Sequence, residues 1–298
     1  MLRSAVRSAA AGLVLLFAAV LAADAGAPGG GGGVAAPPAP VRLAAAQKGL
    51  PLDGPTVIAH RGAAKYAPEN TLAAVDEADR RGVEWVENDV QRTKDGKLVV
   101  IHDATLKRTT NVEKVYPDRS PWGVGDFTAA EIARLDAGSW FGRKFKGERV
   151  PTLASYLNRV DRNDQRLLLE IKNPERYPGI EKQILAQLRS SGWLDATHVM
   201  DGLVIQSFGV PAVRRVHSLH PEVRTAVLGK PSRAQLPEYA RFADWINPPF
   251  KGLSSSYVSA VQSLWGPHAD RMEVHTWGVS VGQAKRAFSA YSVDGVIL

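Results

Sequence analysis

The 298-residue chain contains no cysteine. Disulfide bonds, a cysteine nucleophile, thiolate-bound zinc and lipid attachment through an N-terminal cysteine are therefore excluded. The chain also lacks a Gly-x-Ser-x-Gly elbow, a Walker loop and a dinucleotide-binding glycine pattern after a first strand. These absences argue against a serine hydrolase, a P-loop enzyme and a nicotinamide-dependent enzyme.

Dense runs of basic residues are also missing, although the formal net charge is +7. The lysines and arginines are scattered along the chain and do not alternate with aromatic residues in any patch. This charge predicts transient contact with anionic lipid or a cell-wall polymer, and it does not support a nucleic-acid partner.

The N-terminal region has the layout of a secretory signal. Arg3 and Arg7 precede an apolar stretch over residues 9–22, and Ala23-Asp24-Ala25 supplies a small-residue cleavage site. We predict a signal peptide over residues 1–25, a flexible Gly/Pro/Ala-rich linker over 26–50 and one domain over 51–298. The protein is then secreted or held at the cell surface. An uncleaved membrane anchor is the alternative, but the apolar run is short for a span.

Strand-like and helix-like segments alternate in residues 51–298, which predicts a parallel sheet with crossover helices. The eight predicted strands are 56–60, 83–89, 167–172, 203–207, 224–228, 243–247, 273–279 and 294–298. Eight strands favour an α/β fold of the closed (β/α)8, TIM-barrel type. A further strand over 97–101 follows an Asp-Gly turn signal, so we expect it to form a hairpin with the second strand. Residues 104–150 are then a loop-rich insertion.

Three apolar runs end in residues that carry chemistry. His60 and Arg61 follow the first run, Glu87 and Asp89 end the second, and His102 follows the hairpin strand. Two histidines, two carboxylates and an arginine suit a divalent cation, a phosphate group and proton transfer. The pattern therefore predicts a metal-dependent phosphodiesterase.

A third carboxylate, Glu170, lies on a later strand with Lys172 two residues further on. Residues two apart on a strand point the same way, so this pair shares a face, as Glu87 and Asp89 do. Buried carboxylates need a compensating cation, and three at strand ends suit one Ca2+ or Mg2+ ion. An ordinary salt bridge between Lys172 and Glu170 is the alternative.

The remaining candidates also have two interpretations each. His60 and His102 form a general acid/base pair if they converge, but they are also candidate metal ligands or hydrogen-bonded core residues. Arg61 and Lys172 are candidate phosphate contacts, or only partners of a carboxylate. Trp277 is either an apolar wall for a ligand or a packed barrel side chain.

At these residues the chain resembles the glycerophosphodiester phosphodiesterase family. The resemblance runs through His60-Arg61-Gly62, Pro68-Glu69-Asn70-Thr71, Glu87-x-Asp89, Thr93-x-Asp95-Gly96, His102-Asp103, Arg108-Thr109-Thr110, Pro151-Thr152-Leu153, Glu170-Ile171-Lys172, Gln206-Ser207-Phe208, Trp277 and Asp294-Gly295. These motifs occur in the expected order and cover nearly all of residues 56–298.

The resemblance implies a TIM-type barrel with its site at the carboxyl ends of the strands. It implies hydrolysis of a glycerophosphodiester, a small-molecule substrate, to glycerol 3-phosphate and an alcohol. The positions that match the family's site are the metal ligands Glu87, Asp89 and Glu170, the acid/base pair His60 and His102, and the phosphate contacts Arg61 and Lys172. The implied reaction begins with attack of a glycerol hydroxyl on phosphorus, and water then opens the cyclic phosphate.

Two features depart from the family pattern. Asn88, between two implied metal ligands, stands where the family usually has an apolar residue, and we expect it to face the helix layer. The family also usually continues past Asp-Gly-x-x with a final helix, whereas this chain ends at Leu298, so we expect that helix to be absent. Two rival functions remain: a secreted phosphate-ligand binding protein without turnover, and a lysophospholipase D-like enzyme on the same fold.

Overall fold

The structure of this chain is a computed structural model, and it describes residues 55–298. The predicted signal peptide and linker, residues 1–25 and 26–50, lie outside the described residues. Within residues 55–298, no helix combines the length and the apolar character that a membrane span requires.

Within residues 55–298, nine strands form one sheet, and eight of them are parallel. Their bounds are β1 Thr56–Ala59, β2 Trp85–Arg92, β3 Leu98–Val100, β4 Arg166–Ile171, β5 Leu203–Ser207, β6 Arg224–Leu228, β7 Trp245–Asn247, β8 Glu273–Trp277 and β9 Gly295–Ile297. Strand β1 pairs with β9 on one side and with β2 on the other, which closes the sheet. The predicted closed (β/α)8 barrel is therefore confirmed.

Strand β3 is not part of the barrel, because it runs antiparallel to β2. Val90 lies opposite Val100, and the turn between the strands is closed by a hydrogen bond from the Thr93 amide to the Lys97 carbonyl at 2.9 Å. Gly96 in this turn has a φ of 76°, which favours glycine. Strand β2 extends three residues beyond the predicted Asp89, since it pairs with β3 as well as with β4.

Nine α-helices accompany the strands. They are α1 Leu72–Arg80, α2 Val112–Val115, α3 Ala129–Ile132, α4 Leu153–Arg162, α5 Ile180–Ser190, α6 Val210–Leu219, α7 Leu236–Tyr239, α8 Ser255–Gln262 and α9 Val281–Tyr291, all within residues 55–298. Helices α2, α3 and α7 have only four residues each. The sequence pattern predicts a first helix over residues 69–81, but α1 begins three residues later, at Leu72. Asn70 has a φ of 58°, and Thr71 caps the helix by accepting from the Ala74 amide.

Shorter helical turns lie in the loops. The 3-10 segments are Pro117–Arg119, Val124–Asp126, Arg143–Phe145, Pro174–Arg176 and Arg233–Gln235, and a π-helical turn covers His198–Gly202. The insertion between β3 and α4 contains α2, α3 and three of these segments, and it has a small apolar core of its own around Phe127, Leu106 and Leu135.

The core has an inner and an outer layer, as the alternation of side chains along parallel strands requires. The inside of the barrel is filled by Ile58, Trp85, Leu168, Val204, Ala226, Trp245 and Ile297. The outer layer lies between strands and helices and includes Val86 and Val90. Alternation therefore directs Glu87 and Asp89 inward from β2. Asn88 shares the outward face, where it is fully buried and neither amide atom has a hydrogen-bond partner.

Candidate active site

The eight predicted site residues all lie at the carboxyl end of the barrel. His60 and Arg61 follow β1, Glu87 and Asp89 lie on β2, Glu170 and Lys172 lie at the end of β4, and Trp277 ends β8. His102 is brought to the same end by the hairpin, where the Ile101 amide donates to the Asp89 carbonyl at 2.9 Å. The fold thus gathers the set that the sequence proposed, while the role of each residue stays a prediction.

A tight turn after β1 fixes Arg61 against β2. Its backbone amide donates to Glu87 Oε2 at 2.7 Å, and the Gly62 amide donates to the Glu87 carbonyl at 3.1 Å. Gly62 has a φ of 73°, and a Cβ at this position would stand 2.7 Å from the Cβ of Ala74 in helix α1. Only glycine therefore allows the strand, the turn and the helix to approach this closely.

Three carboxylates form an acidic cluster beside this turn. Glu87, Asp89 and Glu170 each present an oxygen within 4.8 Å of the other two, and their residue exposures are 1%, 1% and 5%. Asp89 Oδ1 is buried and accepts no well-aligned hydrogen bond, although Lys172 Nζ lies 3.2 Å from it. Hard cations such as Ca2+ and Mg2+ take oxygen ligands of this kind, so the donor set fits a divalent cation.

The charges of the acidic cluster are not balanced by the protein. Burial, together with the charges of Asp89 and Glu170, raises the pKa of Glu87 well above its usual range. Burial and the charge of Asp89 raise the pKa of Glu170 to about 8. Burial also acts to raise the pKa of Asp89, but Lys172, His102 and Arg61 outweigh it and lower that pKa. Without a bound cation the cluster therefore retains protons near neutral pH.

Two cations, Lys172 and Arg61, lie beside the cluster. Lys172 Nζ lies 2.8 Å from Glu170 Oε1 and 3.2 Å from Asp89 Oδ1. Arg61 pairs with Glu69 at 2.8 Å and approaches Asp89 at 3.5 Å. The salt bridge that we considered as an alternative for Glu170 is thus present, but it does not neutralise all three carboxylates.

The two histidines have different surroundings. Burial, followed by the positive charge of Arg61, lowers the pKa of His60 to about 4. His102 is partly exposed, and its Nδ1 lies 2.7 Å from Asp103 Oδ1. A carboxylate on Nδ1 orients the ring and leaves Nε2 available to a substrate. His60 is therefore neutral at pH 7, whereas His102 is held by an anionic partner.

A chain of ion pairs, which the sequence reasoning missed, connects the two sides of the mouth. Arg108 donates to both oxygens of Asp103 at 2.7 and 2.8 Å and to both oxygens of Glu69 at 2.7 and 2.8 Å. Its hydrogen bonds hold the pKa of Asp103 well below the usual range. Glu69 also binds Arg61, so this chain of ion pairs links the arginine to His102. Glu69, Asp103 and Arg108 all stand in family motifs quoted in the sequence analysis, and those motifs were the signal that could have identified them.

Gln91 was also missed, and it holds the segment that carries His102. Its side-chain amide lies within hydrogen-bond distance of the carbonyls of Ile101, His102 and Asp103, at 2.8, 3.1 and 2.7 Å. The Tyr177 hydroxyl in turn donates to the Gln91 side-chain oxygen at 3.1 Å. The available signal was its position two residues after Asp89, on the inward face of β2.

Trp277 lies at the rim of the barrel, where its partly buried ring packs against the apolar side chains that fill the inside of the barrel. Its indole N–H donates to the Asn247 carbonyl at 3.0 Å. Its ring meets Phe208 edge-on at a centroid distance of 5.8 Å, and Phe208 is 53% exposed. Lys172 Nζ lies 5.7 Å from the Phe208 ring centre. The two rings form an apolar wall beside the cationic part of the site.

A cleft of about 850 Å3 opens at the opposite end of the barrel. It is lined by residues at the amino ends of the strands, among them Thr56, Arg166 and Glu273. None of the predicted site residues lines it. The candidate site therefore depends on the convergence of polar side chains and not on cleft size.

Comparison with known proteins gives consistent matches. The model of the glycerophosphoryl diester phosphodiesterase family matches residues 60–298. A glycerophosphodiester phosphodiesterase of Bacillus subtilis (strain 168) is 34% identical over 262 residues, which is 80% of this chain and 86% of that protein. An Oleispira antarctica phosphodiesterase, solved with the product sn-glycerol-3-phosphate, has 26% identity and a TM-score of 0.65 over 82% of this chain and 92% of that one. A glycerophosphodiester phosphodiesterase from Agrobacterium tumefaciens str. C58 has 28% identity and a TM-score of 0.61 over 82% and 96%.

Proposed function

The chain belongs to the glycerophosphoryl diester phosphodiesterase family, and we propose that it hydrolyses glycerophosphodiesters to glycerol 3-phosphate and an alcohol. The single observation that carries this assignment is the convergence of three buried carboxylates, two cations and two histidines at one end of the barrel. The glycerol 3-phosphate in the Oleispira structure supports the same product class.

The acidic cluster would hold one divalent cation, Ca2+ or Mg2+, through Glu87, Asp89 and Glu170. When bound, the cation supplies positive charge that stabilises the phosphoryl oxygens. Family membership and the carboxylate donor set support a metal-dependent enzyme. Arg61 and Lys172 lie beside the cluster and would bind the remaining phosphate oxygens.

The surroundings of the two histidines suggest how they divide the proton transfers. His60 is neutral at pH 7 and is suited to accept the proton of the attacking glycerol hydroxyl. His102, oriented by Asp103, is suited to donate a proton to the departing alcohol. Attack on phosphorus forms a cyclic phosphate and breaks the bond to the alcohol. Water then opens the ring: His102 accepts a proton from the attacking water, and His60 returns its proton to the glycerol oxygen that leaves phosphorus, so both histidines regain their starting states.

Phe208 and Trp277 are proposed to contact the glycerol or the alcohol part of the substrate, because they form the apolar wall of the mouth. A lysophospholipase D-like activity is the second candidate function, because an apolar wall can also contact the acyl chain of a lysophospholipid. Assay of choline release from lysophosphatidylcholine and from glycerophosphocholine separates the two activities.

The proposal for location follows from the sequence alone. We propose export through residues 1–25 and transient contact of the exported protein with anionic lipid or a cell-wall polymer. Sequencing the amino terminus of protein recovered from the culture medium tests export. A mature chain that begins near residue 26 is the expected result.

The central experiment measures glycerol 3-phosphate release from glycerophosphocholine with Ca2+, with Mg2+ and with excess chelator. Release that depends on the cation and disappears in His102→Ala is the expected result. Arg241→Ala, an exposed position outside the site, is the matched control for the mutagenesis. A folded protein that binds the cation but releases no product from any simple glycerophosphodiester would refute the proposed function.

A further inference from the structure

A surface loop in the insertion presents three aromatic rings. The rings belong to residues 139–149, called the basic aromatic loop below. Trp140 is 42% exposed, and Phe141 and Phe145 are half-buried. Trp140 meets Phe141 at a centroid distance of 5.6 Å, and Phe141 meets Phe145 at 5.5 Å. The indole N–H of Trp140 already donates to the Ala137 carbonyl, so its exposed part is apolar.

Positive charge surrounds these rings. Arg143, Lys144 and Lys146 are exposed, and none of them forms an ion pair with any residue in the described range 55–298. Lys144 Nζ lies 4.7 Å from the Phe145 ring centre. The acidic residue of the loop, Glu148, is half-buried, and burial raises its pKa. The exposed face of the loop is therefore cationic and aromatic.

The loop is held in a defined shape. The carboxylate of Asp136 accepts hydrogen bonds from the amides of Gly138, Ser139 and Gly147 at 2.9, 2.7 and 2.9 Å. Burial acts to raise the pKa of Asp136, but these hydrogen bonds outweigh it and lower the pKa to about 2. The Ala137 amide also donates to the Glu148 carbonyl at 2.8 Å, which closes the base of the loop. Because the loop is already ordered, it loses less conformational entropy when it binds a partner.

The base of the loop adjoins the candidate active site. Ala137 and Val150, the residues on its two sides, line the same small cavity as Glu69 and His102. A surface bound by the loop is therefore brought close to the mouth of the barrel.

We propose that the basic aromatic loop binds the surface of an anionic lipid bilayer. Lysine and arginine are attracted to anionic headgroups, and exposed tryptophan and phenylalanine rings insert at the boundary between headgroups and acyl chains. A polyanionic polymer would account for the cations but not for the exposed rings. This inference rests on the proposed contact with anionic lipid and not on turnover.

The test measures binding of the full chain to vesicles of phosphatidylglycerol and phosphatidylcholine, and to vesicles of phosphatidylcholine alone, by co-sedimentation. The loop variant carries Arg143→Glu, Lys144→Glu and Lys146→Glu. Its partitioning onto the anionic vesicles is expected to fall at least about ten-fold, because each basic residue at such a surface contributes about a five-fold factor.

A control variant with the same change in net charge keeps the test specific. It carries Lys182→Glu, Arg241→Glu and Lys285→Glu, three exposed positions outside the loop that form no ion pair within residues 55–298. The effect of net charge alone is the same in the control variant and in the loop variant. Apart from this shared effect, the partitioning of the control variant is expected to stay within about two-fold of that of the wild type. All variants share residues 1–54, so any binding by that region cancels.

Trp140→Phe supplies a second readout, since this substitution keeps an apolar ring but removes a fluorophore. Quenching by brominated lipid is expected to be strong in the wild type and clearly weaker in Trp140→Phe. Equal quenching in the two proteins would overturn the insertion of this ring.

The proposal is wrong if the loop and control variants bind anionic vesicles equally, or if the wild type does not bind them. Binding to a poly(glycerol phosphate) polymer but not to vesicles would also overturn it. Glycerol 3-phosphate release from soluble glycerophosphocholine, measured on the same preparations, is expected to be unchanged in both variants. Loop-dependent binding without any turnover would refute only the proposed enzymatic function.

Discussion

Metal binding to the acidic cluster should release protons and should strengthen as the pH rises. Burial and the charge of Asp89 raise the pKa of Glu170 to about 8, and that of Glu87 is raised well above its usual range. Carboxylates bind a cation in their ionised form, so at neutral pH the cation must displace a proton from the cluster.

The size of the effect follows from Glu170. With a pKa of about 8, this side chain is about half ionised at pH 8 and about one hundredth ionised at pH 6. The apparent affinity for Ca2+ or Mg2+ should therefore fall about 50-fold from pH 8 to pH 6 through this group alone. The raised pKa of Glu87 acts in the same direction.

The assay is isothermal titration calorimetry of the metal-free protein in two buffers that differ in ionisation enthalpy. The difference between the observed heats gives the number of protons released. In Glu170→Gln the titrating group is absent, so binding should be weaker at pH 8 and less dependent on pH. An affinity that changes less than about three-fold between pH 6 and pH 8, with no proton release, would refute the reasoning.

The raised pKa of Glu170 also predicts how the stability of the metal-free protein depends on pH. The folded state binds more protons than the unfolded state between the ordinary pKa of 4.5 and the folded value of about 8. The stabilising contribution of protonated Glu170 is fully present below pH 4.5 and is lost as the pH rises through about 8. The Tm of the metal-free protein should therefore fall across this window, and an added cation should raise it most at pH 8.

Three further predictions concern catalysis and folding. His60→Ala and His102→Ala should each abolish glycerol 3-phosphate release while metal affinity, measured by calorimetry, stays nearly unchanged; a large loss of affinity would identify the histidine as a ligand. Gly62→Ala should lower the free energy of unfolding by about 2–4 kcal/mol, because a positive φ and a steric clash with Ala74 combine. Gly82 has a φ of 70° but open space around it, so Gly82→Ala should lower the free energy of unfolding by only about 1 kcal/mol. Similar losses in urea denaturation of the two glycine variants would contradict the close-approach argument. Asn88→Val should raise the free energy of unfolding by about 1–3 kcal/mol without changing turnover, since it removes a buried amide that has no hydrogen-bond partner; a destabilised variant would mean that the amide is paired.

Much of the fold could be predicted from the sequence because strand and helix patterns are local. Strands β5 and β6 have the bounds that the sequence predicted, and the eight site residues lie at the carboxyl ends of strands as expected. The errors occur where another constraint overrides the pattern. Helix α1 starts late because Asn70 is left-handed, and β2 runs to Arg92 because β3 pairs with it.

The contacts around His102 could not be predicted in the same way. Arg108 and Glu69 are 39 residues apart, and nothing local to either one indicates that they pair. Gln91 binds three carbonyls of a segment that begins ten residues later, which depends on the register of the hairpin. Each residue stood in or beside a quoted motif, but its partner was decided by the folding of the insertion over the barrel.

The sequence by itself determined the residue types and their order: strands that alternate with helices, histidine, arginine and carboxylate at strand ends, and no cysteine. Only the tertiary structure decided their charge states. Closure of the barrel puts Glu87, Asp89 and Glu170 within 4.8 Å of one another and away from water. Like charges that are close and poorly hydrated cannot all be ionised, so proximity and burial together create the need for a cation.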